Sequence, residues 1–248
     1  MLLNYLEKLH ELQSIDEVWS YHVDKMAEYG FDRLLYGFTR FRTRNSFGDR
    51  EDLLLLTNHS LQYLQKFIDT GMYFNAPMVK WSAENVGACS WSWMQDHAES
   101  LTKSERQVVD YNITMGITAG YSISFKEISS RSKGAIGLVA KSGLSQKKVD
   151  ALWSEKGREI VQMNNAAHLK ITTFPFPTLR RPLTERQREA LEWVADGKTT
   201  KDIALIMGLT LPTIEKHLRL AREALDVETT AQAVLKASYQ NQIFLIEG

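Results

Sequence analysis

The segment LPTIEKHLRLAR, Leu211 to Arg222, places Glu215, Lys216, Arg219 and Arg222 at helical spacing. Lysine and arginine can contact phosphate or the acceptor edge of guanine, and glutamate can accept from cytosine N4. The same set also suits an ordinary solvated amphipathic helix. For a nucleophile and its base, Cys89, His97 and His59 are candidates only on paper. Cys89 sits in the apolar, strand-like run VGACSW, where cysteine behaves as a small hydrophobe, so no catalytic residue and no enzyme are expected. Cys89 is also the single cysteine. It can form no intrachain disulfide, and a thiolate metal site of typical spacing is excluded; neither a metal ligand nor a cofactor is expected.

The elements around the basic segment give it a setting. Ile203, Ala204 and Ile206 put an apolar face on a short helix, Gly208 suits the positive φ of a tight turn, and Leu209 points back to a core. Thr210 can cap the next helix, with Pro212 in its first turn and Ile214, Leu218 and Leu225 on its buried side. Two short helices joined by a glycine turn are the pattern of a helix-turn-helix. The C-terminal part shows no strand pattern and reads as four helices, 185–196, 201–207, 212–225 and 230–240. Before it, TTFPFPTLRRP, residues 172–182, reads as an extended linker, because proline fixes φ and biases its predecessor away from helix.

The N-terminal part alternates helix and strand patterns. Ser14 to Glu17 forms a capping box for a helix ending near Gly30, and Thr102 to Glu105 forms a second one for a helix ending at Gly116. RLLYGFTRFR and LLLLT read as extended, Ser60 to Thr70 as a helix stopped by Gly71, and Pro77 as the first turn of another helix. GYSISFKE and GAIGLVAK read as a hairpin, followed by a long helix from Ser145 to about Lys170. The expected fold class is α+β: an N-terminal α-β-α sandwich with an antiparallel sheet, residues 1–171, and an all-α helix-turn-helix domain, residues 183–248.

The chain has 248 residues and thirty basic against thirty acidic side chains. Zero net charge argues against bulk attraction to nucleic acid and leaves a local patch as the only electrostatic route. From Arg180 to Arg222 nine basic residues face six acidic ones, a weak excess that makes a homodimer, with doubled contacts, the expected binding form. No apolar run reaches membrane-spanning length, and the first residues lack the basic flank and apolar block of a signal peptide. No membrane partner is therefore expected, and a cytoplasmic location is.

The run LTERQREALEWVADGKTTKDIALIMGLTLPTIEKHL resembles the DNA-binding domain of LuxR-type transcription regulators. Leu183, Thr184, Arg186, Leu191, Ala195, Gly197, Ile203, Ala204 and Ile214 carry the likeness. The resemblance implies an operator-binding surface from Lys198, Thr199, Lys201, Thr213, Glu215, Lys216, His217, Arg219 and Arg222 on double-stranded DNA. It departs from the family at Gln187, where a glutamate is usual, and at Leu220 and Ala224, which take the usual places of an asparagine and a lysine.

NHSLQYLQKFIDTGMYFNAPMVKWSAENVGACSW resembles the ligand-binding half of the acyl-homoserine-lactone receptors among the same regulators. GITAGYSISF and SKGAIGLVA fit that domain's later hairpin, whereas the βα alternation of a phospho-acceptor receiver is missing. The likeness implies a small apolar cavity against the sheet. The family's lactone-contacting tryptophan falls on Tyr63, a nearby tyrosine on Phe67, an amide-accepting aspartate on Ala76, and a proline on Ser124; Pro77 and Trp91 are kept. The expected ligand site is Tyr36, Tyr63, Phe67, Ala76, Met78, Trp91 and Ser124. The loss of the aspartate favours a small, mostly apolar signal molecule, either a non-lactone or a long-chain lactone with another acceptor. The alternative is a filled core in which Tyr63, Phe67, Met78, Trp91 and Trp93 simply pack together, the regulator then answering to a protein partner or to its own abundance.

Overall fold

The computed structural model describes residues 2–42, 49–175 and 181–244. It divides into two compact units, Met1–Gly48 with Leu53–Ile171, and Asp49–Asp52 with Thr172–Gly248. Residues 176–180 of the expected linker lie outside the described residues.

The first unit opens with helices α1 (Leu2–Glu11) and α2 (Ile15–Glu28). Ser14 caps α2 by accepting from the Glu17 amide, but the Glu17 carboxylate accepts from the Gln13 amide at 2.7 Å, so the expected box closes one residue early. Five strands follow, β1 (Phe31–Thr39), β2 (Leu54–Thr57), β3 (Gly87–Ser90), β4 (Gly120–Ser124) and β5 (Lys133–Ala140). They form one antiparallel sheet in the order β2-β1-β5-β4-β3. Between β2 and β3 lie α3 (Leu61–Leu64) and α4 (Pro77–Glu84), and between β3 and β4 lie α5 (Ser92–Asp96) and α6 (Lys103–Thr114). The capping box of Thr102 and Glu105 is complete. The long helix α7 (Gln146–Ile171) closes the unit. The helix expected over residues 60–70 is α-helical for one turn only. Its second half, Gln65–Asp69, is a π-turn, and it buries Phe67 and Ile68.

Side chains alternate across a strand, and the registers sort this sheet into two faces. Leu34, Leu138 and Tyr121 form one row across β1, β5 and β4, and Tyr36, Ile136 and Ile123 the next. These large residues are buried with Met26, Ile160 and Met163 of α2 and α7. The intervening rows face the other way and are made of different material: Leu55, Gly37 and Ala135 in one, Leu35, Gly137 and Ser122 in the other.

The second unit carries α8 (Glu185–Ala195), α9 (Thr200–Met207), α10 (Leu211–Leu225) and α11 (Thr230–Tyr239). Gly208 takes φ of 63° at the end of α9, which supplies the tight turn into α10. Gln187 completes a capping box with Thr184, so the departure from glutamate leaves the cap of α8 intact. Leu191, Ile203, Ile214, Leu218, Ala221, Leu225 and Ala233 share one core. Ile206, expected on the apolar face of α9, is instead 46% exposed, because the core takes the Ile203–Ala204 side of that short helix.

Candidate functional site

The small residues on one face of the sheet leave a cavity of about 550 Å³, within the range of small-molecule sites. Gly37, Ala135, Gly137 and Ser122 form its floor. Trp91 lies over this floor: a Cβ placed on Gly120 would come within 3.0 Å of the indole ring, and one on Gly137 within 3.9 Å. The indole Nε1 donates to Ser122 Oγ at 3.0 Å. A π-turn widens a helix by one residue and recurs at functional sites; here it brings Phe67 and Ile68 into the cavity wall. Tyr63 is the middle of an aromatic stack, 4.6 Å from the His59 ring and 4.9 Å from that of Phe67.

Five of the seven expected ligand-side residues line this cavity: Tyr63, Phe67, Ala76, Met78 and Trp91. Tyr36 does not. It belongs to the opposite face, where its hydroxyl meets His168 Nδ1 at 2.9 Å. Ser124 faces the right way but is sealed off, since the carbonyls of Ser82 and Asn85, at 2.8 and 2.7 Å, share its one hydroxyl hydrogen. Trp93 turns away from the others and stacks on His97. Tyr63 and Phe67 stack on each other, but together with Met78 and Trp91 they line a cavity, which argues against the filled-core alternative.

Polar groups are few in the walls. The Tyr63 hydroxyl donates to Asn112 Oδ1 at 3.1 Å. Burial pushes its ionisation up. Burial, helped by the Arg33 charge, holds the His59 imidazole down to about 4, so it is neutral at pH 7. The lining's charged residues, Arg106 and Asp110, are exposed ones at the rim. Arg106 is held there by the carbonyls of Leu101 and Glu99. His59, Asn112 and the bare floor were missed in the sequence. Small residues at 135 and 137 between large ones at 136 and 138 were the available sign.

Ala76 is the N-cap residue of α4 and offers no side-chain acceptor to it. Cys89 lies on the edge strand β3, and burial pushes its thiol up, away from the reactive thiolate. Neither His59 nor His97 hydrogen-bonds to it. Among the described residues no group of His, Cys, Asp and Glu could hold a metal ion, and no helix is long and apolar enough to cross a membrane.

In the second unit Lys198, Thr199, Lys201, Glu215, Lys216 and Arg219 are exposed, while Thr213 and His217 are half-buried. Thr199 is engaged as the cap of α9, with Oγ1 2.6 Å from Asp202. Thr213 shares a hydrogen bond with Thr210. Arg219 pairs with Glu223 one turn on, an exposed contact worth at most about 1 kcal/mol and easily exchanged. Arg222, expected on the open face, is partly buried and donates to Thr230 Oγ1 at 3.0 Å, tying α10 to α11.

Residues 14–171 match the family described as autoinducer binding domain, and residues 181–237 match the bacterial regulatory proteins of the luxR family. The chain belongs to the LuxR-type, quorum-sensing transcription regulators. It is thus a DNA-binding regulator controlled by a small molecule. The transcriptional activator AnoR of Acinetobacter nosocomialis is 22% identical over 223 residues, 90% of each chain. The LuxR activator of Aliivibrio fischeri is 23% identical over 76% of this chain and 74% of its own. Crystalline Escherichia coli SdiA has the same fold, with a TM-score of 0.56 at 15% identity over 98% of both chains. SdiA has also been solved in complex with octanoyl-rac-glycerol, with a TM-score of 0.57 at 14% identity over 96% of this chain and 93% of that one.

Proposed function

We propose that this regulator is a cytoplasmic homodimer that reads its operator with α10 and the start of α9, and that the cavity on the sheet holds a small, mostly apolar, uncharged signal molecule. The cavity itself carries the reading: about 550 Å³ with apolar walls and its lining's two charged residues confined to the rim. Each methylene buried there contributes about 0.8 kcal/mol. The acyl glycerol bound to SdiA is a ligand of this kind. Ligand that binds only the folded domain stabilises it by mass action, and the folded domains then set the spacing of two recognition helices. The weak positive excess of the DNA-binding unit supports a dimer, since one copy offers few phosphate contacts.

Lys216 and Arg219 are assigned the base and phosphate contacts, Glu215 a base contact, and Lys198, Lys201, Thr199, Thr213 and His217 supporting contacts. Arg222 is assigned to packing first. In a gel-shift series at fixed salt, Lys216→Ala with Arg219→Ala is expected to lower operator affinity at least tenfold with unchanged helical content. Thr213→Ala should lower it less, because a hydroxyl there reaches phosphate at most. Undiminished affinity in the double variant would show that α10 is not the reading helix.

A further inference from the structure

Pro212, Glu215, Lys216 and Arg219 share the leading part of the open face of α10. All four are exposed, and their spacing of three and four residues makes them one stripe along the helix. Three of them can form side-chain hydrogen bonds. Pro212 cannot, because its ring offers neither a donor nor an acceptor. The rest of the leading turn adds little: Leu211 is 36% exposed, and the hydroxyls of Thr210 and Thr213 engage each other at 2.8 Å. Helix initiation accounts for a proline in this turn, since its missing N–H falls among the groups that have no partner there. It does not account for what an exposed ring does in line with three polar readers.

We propose that Pro212, with Leu211 beside it, reads the 5-methyl group of a thymine in the operator's major groove, and so fixes an A·T pair at the leading edge of each half-site. The proposal rests on the assignment of α10 as the recognition helix. In a helix-turn-helix the first residues of that helix meet the base edges. Every base edge in the major groove presents hydrogen-bonding groups, and only thymine adds a methyl. A pyrrolidine ring set against guanine, adenine or cytosine would shut water away from a donor or acceptor and offer nothing in its place. Against thymine it buries the methyl, an advantage of about fourfold in affinity for one carbon. The ring is rigid, so contact costs it no side-chain freedom. Lys216 lies one helical turn further on, about 5.4 Å along the axis. The thymine should therefore sit about one or two base-pair steps from the pair that Lys216 contacts.

The test starts from the duplex that the full-length protein binds most tightly out of a randomised pool. Each of its thymines is replaced in turn by deoxyuridine, which lacks only the 5-methyl. Fluorescence anisotropy at fixed salt should find one position per half-site where the change weakens wild-type binding about fourfold. Pro212→Ala keeps a good helix former at that place. It should bind the thymine duplex more weakly by a similar factor and should no longer distinguish thymine from deoxyuridine at that position. The inference is overturned if no deoxyuridine weakens binding, or if Pro212→Ala binds the thymine duplex as wild type does. It is equally overturned if Pro212→Ala feels the missing methyl as strongly as wild type, since the methyl then acts on another residue or on the shape of the DNA. Lys216→Ala with Arg219→Ala, measured on the same duplex, tells these results from a failure of the underlying assignment. A double variant that loses affinity keeps α10 as the reading helix whatever Pro212 does. A double variant that binds as wild type does, or a protein that selects no duplex, removes that assignment and the inference with it.

Discussion

The two faces of the β1-β5-β4 sheet share one backbone and differ in nearly everything else. On one face Leu34, Tyr36, Ile123, Ile136 and Leu138 are all less than 3% exposed and packed under α2 and α7. On the other, the same strands present Gly37, Ala135, Gly137 and Ser122 beneath open space. Protein interiors are otherwise packed like organic crystals, so the bare face forgoes contacts that a ligand can supply. The packed face also contains polar chemistry, but it is closed: His22 lies between Tyr5 at 2.8 Å and Asn164 at 3.0 Å. On the bare face the Tyr63–Asn112 pair is only part-buried. Stability and recognition are thus divided between adjacent residues of one strand, as with Gly137 and Leu138.

That division can be broken at its sharpest point. Leu138→Ala, on the packed face, should cost roughly 2–5 kcal/mol of unfolding free energy while leaving ligand affinity nearly unchanged in the folded fraction. Gly137→Val should do the reverse. A Cβ there meets only ordinary contacts, at 3.9 and 4.0 Å, and a β-branched residue suits a strand. Its methyl groups would occupy the cavity, so affinity should fall about a hundredfold, or about 2.7 kcal/mol, at unchanged stability. Urea melts and titration calorimetry on the two variants give both quantities.

Acid should act on the packed face. Burial holds the His22 imidazole down to about 4 from its ordinary 6.5, with the Asn164 hydrogen bond opposing. The unfolded chain binds that proton more readily, so the contribution is fully present above pH 6.5 and is lost as pH falls towards 4, to a total on the order of 3 kcal/mol. His59 acts in the same direction but is half-buried, so its share is smaller. Urea midpoints between pH 7.5 and 4.5 should fall accordingly, and His22→Gln should flatten the slope.

Ala76→Asp sharpens the comparison on the cavity side and has the smallest expected effect. A carboxylate in an apolar cavity is costly, but position 76 is the uncapped N-terminus of α4, where aspartate contributes about 0.5–2 kcal/mol. The two terms oppose each other, so the melting temperature without ligand should change little. Affinity for acyl-homoserine lactones should rise about tenfold through a charge-assisted hydrogen bond to the amide. A thermal-shift series across chain lengths measures both.

The second unit was more legible in the sequence than the first. Its turn is local, since Gly208 acts within a few residues of its own position, and the four helices fall within one residue of their expected ends; Thr210 sits at the N-cap of α10 as expected but makes no side-chain cap bond there. Arg222 is less open than its helical position suggests because its hydrogen-bond partner, Thr230, lies beyond the end of its helix. In the first unit the strands were visible, but which face holds the cavity depends on register. Tyr36 was assigned to the wrong side for that reason, although strict alternation separates it from Leu35 and Gly37. The π-turn at Gln65 has no residue-level mark, and the meeting of Asn112 with Tyr63 joins helices 49 residues apart.

The central claim is that the bare face is a ligand chamber. Native mass spectrometry of the purified full-length protein beside its Gly137→Val variant tests it most directly, before and after incubation with monodecanoylglycerol. The expected result is a wild-type protein that carries or takes up a small molecule, and an equally folded variant that does neither. Equal loading of the two proteins, or a wild type that stays empty throughout, would contradict it.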